Sequence, residues 1–312
     1  LSIIGSGLAF FSDLYGILCL GRFIQALGAS VGIKITLTMV ADLHVGHSAT
    51  KVLSLLLLGI AVAPSVGAAI GGFLTTALGW KGCFAFLTLY TILLSLLCLT
   101  LPETAHKLDS EALQVRRIFR GYLAQFRNPR ISLNGLLMGL SIAIFYVFSN
   151  EAPHIAIGSM GLTPVQYGLF NLLLPVGMCV GLLSGNSLAG KLRPLLAILL
   201  GILLALAGAV AMALSIETNG GWGLFLPQAL IQMGTYFLWL FASSAGLSEA
   251  SDKSNASAVM QFLNFGCAAA ATFAIGVFAP QGILTLPLAI GALILLLLAV
   301  WATLARQKNQ SQ

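Results

Sequence analysis

The sequence predicts an all-α integral membrane protein. Hydrophobic residues make up 58% of the 312 positions and charged residues 8%, and the mean hydropathy is +0.99. One water-soluble core cannot bury so large a share of apolar side chains. The apolar residues form runs of about twenty, the length that a helix needs to cross a bilayer core of about 30 Å. Each run is apolar on every face rather than at every second residue, which argues against membrane barrel strands.

Nine such runs follow a shorter apolar stub along the chain. The stub covers residues 1–11, and the runs cover residues 14–40, 52–77, 82–101, 132–150, 165–186, 195–215, 222–247, 255–279 and 284–305. Basic residues are concentrated in alternate loops, with twelve on one side and Lys81 alone on the other. The positive-inside rule therefore predicts a multi-pass protein of the inner (plasma) membrane, with its central loop and C-terminus in the cytoplasm.

Composition also argues against several functions. The net charge of +6 follows the loop pattern of membrane topology, so nucleic acid is not an expected partner. The five cysteines show no metal-ligand spacing. No apolar run carries paired carboxylates, a zinc-protease motif or a serine, histidine and aspartate set. We therefore expect neither a metal site nor an enzyme.

The second half of the chain repeats the first. The segment 256–266 is similar to the segment 49–59, and each follows a short loop that carries an acid, Asp252 or Asp42. At the same offset of 207 residues, the run 195–215 falls on the stub, and the two runs before it fall ahead of the first residue. We therefore predict two pseudo-symmetric helix bundles, the first lacking its first two helices and most of its third.

This repeat divides the chain into four regions. They are an incomplete N-terminal bundle at 1–101, a charged cytoplasmic linker at 102–131, a six-helix C-terminal bundle at 132–305 and a cytoplasmic tail at 306–312. An upstream reading frame with two further apolar runs would support the incomplete first bundle. A genuine start at Leu1 would favour a truncated product that does not transport.

Polar side chains mark the helices that should line a central path. Every third run is almost free of them and can face lipid, whereas the neighbouring runs carry amides, phenols and an indole. A polar group in hydrocarbon is unfavourable unless it meets a partner or a wet cavity. The predicted cavity-lining residues are Tyr146, Asn150, Asn171, Gln228, Gln232, Tyr236, Trp239, Gln261 and Asn264.

The C-terminal bundle also contains a ladder of glycines. Gly177, Gly181 and Gly185 recur every four residues and share one helix face. We predict that this face is a packing seam, because small residues let two helix backbones approach closely.

A charged motif lies in the first full run. Arg22, Gln25 and Gly28 resemble the fourth-helix motif R-x-x-Q-G-x-G of drug/proton antiporters in the major facilitator superfamily. Arg22 lies roughly 12 Å below the outer end of its helix, where a permanent charge is unfavourable, and Gln25 shares its face. The resemblance implies that both residues act in coupling or substrate handling. A structural bond to backbone carbonyls is the alternative.

The next run carries a proline and glycine motif. Its members are Gly59, Pro64, Gly67, Gly71 and Gly72, which resemble the antiporter motif g-x-x-x-G-P-x-x-G-G. More narrowly, the segment is similar to the A-P-x-x-A-P-x-x-G-G form of the bicyclomycin-resistance (Bcr/CflA) drug efflux family. Proline removes a helix hydrogen bond and glycines let a neighbouring backbone approach, so the resemblance implies a gating kink. Simple packing of small residues is the alternative.

Two further charged residues are candidates for coupling. The family carries two arginines before a loop aspartate where this chain has Leu37 and Ala41. Lys34 is a candidate substitute, and snorkelling to the membrane surface explains it equally well. Glu151 ends the run 132–150 at the outer surface, either as a solvated acid or as a site of proton or cation uptake. The acid in the family's first helix would precede this chain.

Two bundles of six helices in parallel repeat are the layout of major facilitator transporters. The resemblance implies proton-coupled efflux of small amphipathic compounds or drugs by alternating access, driven by the proton gradient without a cofactor. The expected partners are the lipid bilayer, a small-molecule substrate and protons. The alternatives are a metabolite or sugar symporter or uniporter on the same fold, and a truncated membrane protein that does not transport.

Overall fold

The computed structural model describes residues 1–43, 47–100, 115–250, 252–278 and 282–309. Within those ranges every regular element is a helix, which confirms the all-α prediction. The helices form two compact units, Leu1–Asp109 (unit 1) and Ser110–Gln312 (unit 2).

Unit 1 contains three helices, α1 (Ser2–Phe11), α2 (Tyr15–Leu43) and α3 (His47–Cys98). The predicted stub is α1, and it packs closely on α2. A methyl group built on Gly21 of α2 would lie 2.8 Å from the carbonyl oxygen of Gly5 on α1. Only a residue without a side chain allows this approach of the two backbones.

Helix α3 changes direction at Gly79, where φ is 72°. This is the left-handed region, which glycine adopts without steric penalty. The break separates the two predicted runs 52–77 and 82–101. Just beyond it, the Lys81 ammonium lies 2.6 Å from the Asp13 carboxylate in the turn between α1 and α2.

Unit 2 contains eight α-helices among its described residues. They are α4 (Val115–Phe126), α5 (Pro129–Pro153), α6 (Pro164–Asn171), α7 (Leu174–Leu188), α8 (Pro194–Ser215), α9 (Gly220–Ser248), α10 (Lys253–Phe278) and α11 (Thr285–Asn309), with a π-helical turn at His154–Ser159 after α5.

One predicted run in unit 2 is not a single helix. The run 165–186 is divided into α6 and α7 by a short turn at Leu172 and Leu173. Pro175 follows this turn, and its nitrogen carries no hydrogen to bond the carbonyl group four residues earlier. The helical hydrogen-bond ladder is therefore interrupted at this point.

Helix α9 is the centre of unit 2 and packs against α5, α7 and α8, while α10 and α11 cover α5. The contact of α7 with α9 depends on glycine: methyl groups built on Gly177 and Gly181 would collide with the backbone carbonyl oxygens of Ala229 and Met233. The predicted packing seam is confirmed at these positions.

Seven helical segments of the described chain are long and apolar enough to cross a membrane. They are Val62–Cys98, Pro129–Ser159, Pro164–Leu188, Pro194–Ser215, Gly220–Ser248, Lys253–Phe278 and Thr285–Gln307. The last six match the six runs predicted for the C-terminal bundle. Val62–Cys98 contains the Gly79 break, and α2 covers the predicted run 14–40.

Candidate functional site

In unit 1, Arg22 belongs to a chain of polar side chains that joins α2 to α1. Its Nη1 donates a hydrogen bond to Oε1 of Gln25 (2.8 Å), and Nε2 of Gln25 donates to Oγ of Ser6 on α1 (2.9 Å). Oγ of Ser2 donates to the carbonyl oxygen of Gln25 (3.2 Å). The sequence places Arg22 and Gln25 one turn apart on one helix face. In the structure the two side chains bind each other directly.

The Arg22 guanidinium also faces an aromatic ring. Its Cζ lies 5.8 Å from the ring centroid of Phe84 on α3, within the distance of a cation–π interaction. The arginine side chain is exposed in unit 1. No carboxylate within the described ranges forms an ion pair with it, so its charge can take an anionic or polar partner.

The proline and glycine motif lies on α3. Pro64 is exposed and Gly72 is buried. No described atom lies within 4 Å of a methyl group built on Gly59, Gly67 or Gly71. The described part of unit 1 therefore supplies no backbone in close contact with these glycines, and their role in gating stays a prediction. Lys34 lies on α2, but its side chain is outside the described residues.

Unit 2 contains an open groove of about 600 Å³ between α5 and α10. Helix α5 contributes Tyr146 and Asn150, and α10 contributes Phe265, Thr272 and Phe273 together with alanine, glycine and valine. The lining is thus aromatic and aliphatic, with the phenol of Tyr146 and the amide of Asn150 as its polar groups, while Oγ1 of Thr272 is buried. Such a surface fits a small amphipathic molecule.

Among the groove residues that were not predicted as lining are Phe265 and Phe273. Phe265 and Phe273 recur with Thr272 at a spacing of seven and eight residues, which places all three on one helix face. Helical periodicity in the sequence could therefore have indicated them, although both are apolar and look like lipid-facing residues.

A hydrogen-bonded row of side chains connects α9 with α10. Nε1 of Trp239 donates to Oδ1 of Asn264 (3.4 Å), and Nδ2 of Asn264 donates to Oε1 of Gln261 (3.2 Å). Tyr236 lies on α9 one turn before Trp239 and is half-buried. The structure thus brings together three of the predicted cavity-lining residues, Trp239, Asn264 and Gln261.

Gln228 and Gln232 lie elsewhere, in the interior of unit 2, where both are 0% exposed. Oε1 of Gln232 accepts a hydrogen bond from Thr235 (3.4 Å). Neither side-chain amide atom of Gln228, nor Nε2 of Gln232, has a partner among the described residues. Among the described residues, these two glutamines are therefore enclosed and are not part of the groove between α5 and α10.

The remaining two predicted residues lie near the ends of helices. Asn171 is buried at the end of α6. Glu151 is half-buried near the end of α5, and its Oε1 accepts a hydrogen bond from Nδ2 of Asn150 (2.9 Å). Since Asn150 also lines the groove, the Glu151 carboxylate is one hydrogen bond away from it.

These features define a polytopic helical membrane protein with an amphipathic groove in unit 2 and a charged motif inside a helix of unit 1. The chain belongs to the Major Facilitator Superfamily, because the model of that family matches residues 1–275.

Several curated proteins are similar to part of this chain. An uncharacterized transporter of Rickettsia bellii is 33% identical over 184 residues, 58% of this chain and 45% of the relative. A chloramphenicol resistance protein of Pseudomonas aeruginosa is 29% identical over 50% of this chain and 37% of its own length. The quinolone resistance protein NorB of Staphylococcus aureus is 28% identical over 52% and 34%. The chain spans less than half the length of these relatives.

Proposed function

We propose that this chain is part of a secondary transporter that exports small amphipathic compounds in exchange for protons, of the bicyclomycin-resistance (Bcr/CflA) type. The observation that carries the proposal is the bond of Arg22 to Gln25 at the positions of the antiporter motif. A permanent charge within a spanning helix is retained when it meets a polar ligand or a titrating acid. Arg22 would exchange such partners during each transport cycle.

The groove between α5 and α10 supports the substrate class. Its volume of about 600 Å³ is typical of sites for drug-sized ligands, which are mostly apolar with a few polar groups. Tyr146 and Asn150 supply polar groups there, and Phe265 and Phe273 supply apolar faces. Two of the relatives are named as resistance proteins, for chloramphenicol and for quinolones.

Glu151 is our candidate for proton uptake. Its carboxylate accepts a hydrogen bond from Asn150, and Asn150 lines the groove. Protonation of Glu151 would therefore remove a charge next to the groove and change its affinity for a cationic compound. The proposed energy source is the proton gradient of the inner membrane, with the basic loops on the cytoplasmic side.

Transport by the full-length protein in proteoliposomes tests this proposal. Tetraphenylphosphonium serves as the lipophilic cation, and a trapped pH dye reports proton flux. The expected result is cation movement driven by an imposed pH gradient and abolished by a proton ionophore. A rate of cation transport that is the same with and without the pH gradient would favour a uniporter. Absence of cation transport would favour a protein that does not transport. Glu151→Gln, which resembles the protonated carboxyl, should remove the proton flux and weaken cation binding.

A further inference from the structure

Helix α4 ends very near the point where α5 enters the membrane. It finishes at Phe126, and α5 begins at Pro129. The junction is held by two hydrogen bonds: Oδ1 of Asn128 accepts from the backbone N–H of Arg130 (3.1 Å), and Oγ of Ser132 donates to the carbonyl oxygen of Phe126 (2.6 Å). Because α5 is a spanning helix, this junction keeps α4 at the level of the lipid headgroups.

One face of α4 is packed against the protein. A methyl group on Gly121 would lie 2.5 Å from Nδ2 of Asn255 at the start of α10. Gln125, one turn later, is buried. The amide of Asn255 is itself held by Asp252, to which it donates a hydrogen bond (2.7 Å). Gly121 and Gln125 therefore mark the face that α4 uses to dock on unit 2.

The adjoining face of α4 is exposed and apolar. Tyr122, Leu123 and Phe126 are 39%, 41% and 45% exposed. Bulky apolar groups clustered on so short a helix would be unfavourable in water, whereas a membrane surface accommodates them.

Cations accompany this apolar face. Arg120, Arg127 and, at the start of α10, Lys253 are exposed. The segment 115–127 carries no acid, and the nearby Asp252 accepts hydrogen bonds from Asn255. Exposed guanidinium groups bind phosphate oxygens, often through two parallel hydrogen bonds.

We propose that this surface, the α4 platform (Arg120, Tyr122, Leu123, Phe126, Arg127 and Lys253), binds anionic phospholipids of the adjoining leaflet. The arginines and the lysine contact headgroup phosphates, and the apolar side chains reach the acyl boundary. A free phosphate ion does not suit the surface, because it would leave the apolar face in water. The proposal depends on membrane insertion and not on any transport activity.

Quenching by brominated lipid tests the platform directly. In the full chain, Leu123→Trp places an indole on the apolar face. The fluorescence of this indole is obtained by subtracting the fluorescence of the parent protein from that of the variant. The chain is reconstituted in bilayers of phosphatidylcholine with phosphatidylglycerol, one of the two being brominated. Brominated phosphatidylglycerol should quench the new indole more than brominated phosphatidylcholine at equal mole fraction. Equal quenching by both lipids, or quenching by neither, would overturn the proposal.

Charge variants test the role of the cations. In the Leu123→Trp background, Arg120→Gln and Arg127→Gln should each weaken the preference for phosphatidylglycerol by about fivefold, and Arg→Lys at both positions should retain it. Lys191→Gln with Arg193→Gln is the matched control, since both residues are exposed between α7 and α8. If this control loses the same preference, the effect is one of overall charge and the α4 platform is disproved.

Discussion

Nη1 of Arg22 and Oε1 of Gln25 are joined by a 2.8 Å hydrogen bond along one face of α2. The other end of the Gln25 amide donates to Ser6 on α1, so the glutamine cannot rotate away without losing a bond. The guanidinium is thereby held over the ring of Phe84. These contacts fix the orientation of the Arg22 guanidinium group, and therefore the side from which a partner can bind it.

Arg22→Ala should abolish proton-coupled transport, because alanine carries neither the charge nor the hydrogen bond to Gln25. Arg22→Lys should keep part of the activity, since lysine retains the charge but not the planar donor group. Proteoliposome transport under an imposed pH gradient measures both. Lys81→Met, which removes a positive charge from the same unit, is the control. Coupled transport that is unchanged in Arg22→Ala would disprove the assignment.

Trp239 should report substrate binding, because it lies in the row of side chains that leads to Asn264 and Gln261. In a variant whose only tryptophan is Trp239, tetraphenylphosphonium should quench the fluorescence with saturation. A variant that keeps only Trp301, whose Nε1 donates to the carbonyl oxygen of Leu195 (2.8 Å), should respond weakly. Equal responses from the two tryptophans would mean that the compound partitions into lipid without binding at this site.

Gln228→Leu should stabilise the protein and impair transport. The buried amide of Gln228 has no partner in the described structure, and a buried unpaired amide is unfavourable by about 1–3 kcal/mol, which leucine removes. Transport should fall if α9 presents this amide to water or substrate at another stage of the cycle. Thermal unfolding in detergent, with the exposed Asn186→Leu on α7 as control, measures the first effect. A lower unfolding temperature would show that the amide is hydrogen-bonded in the native protein.

Gly181→Ala should loosen the contact of α7 with α9. The added methyl group would collide with the carbonyl oxygen of Met233, and overpacking of this kind lowers the free energy of unfolding by about 1–3 kcal/mol. Gly266→Ala on α10 is the matched control, because no described atom lies within 4 Å of its methyl group. The control should gain about 0.5–1 kcal/mol through higher helix propensity. Equal thermal stabilities would contradict the packing seam.

The start of α10 should depend on pH through Asp252. The backbone N–H of Asn255 donates to its carboxylate (3.0 Å), and this bond, more than that of the Asn255 side chain, lowers the pKa of the Asp252 carboxyl. A carboxyl whose pKa is lowered by folding stabilises the fold fully above its unfolded pKa and loses that effect as the pH falls through the folded pKa.

Hydrogen exchange in residues 253–257 checks this pH dependence. Protection relative to the intrinsic exchange rate should be constant near neutral pH and fall below about pH 4. Asp252→Ala should show low protection at every pH, and Asp252→Asn, which keeps an acceptor oxygen, should show no acid-dependent loss. If the wild type and Asp252→Asn lost protection in the same way as the pH falls, the carboxylate would not be the cap of α10.

Helix extents and local contacts were predictable from the sequence because they depend on neighbours along the chain. The bond between Arg22 and Gln25 follows from a spacing of one helical turn. The seam at Gly177 and Gly181 follows from a repeat of four residues. The turn before Pro175 also has a local signal, which is the proline itself. The uninterrupted apolar run 165–186 nevertheless indicates a single helix, so the turn was not predicted.

Contacts between helices could not be predicted in this way. Periodicity places Gln228 and Gln232 on one face of α9, but the identity of the helices that cover this face depends on three-dimensional packing. The same limit applies to Phe265 and Phe273, whose apolar side chains are equally suited to lipid and to a groove. The link from Glu151 through Asn150 to the groove also required coordinates, since adjacent residues on a helix point in different directions.

The break at Gly79 determines how unit 1 would respond to a protease. One residue turns the chain, so helical backbone continues on both sides and no extended segment can enter a protease active site. The ion pair of Lys81 with Asp13 also joins the break in α3 to the turn after α1. Limited proteolysis of the native protein should therefore not separate the two segments of α3. An epitope inserted at Gly79 should instead disrupt the local fold at this break.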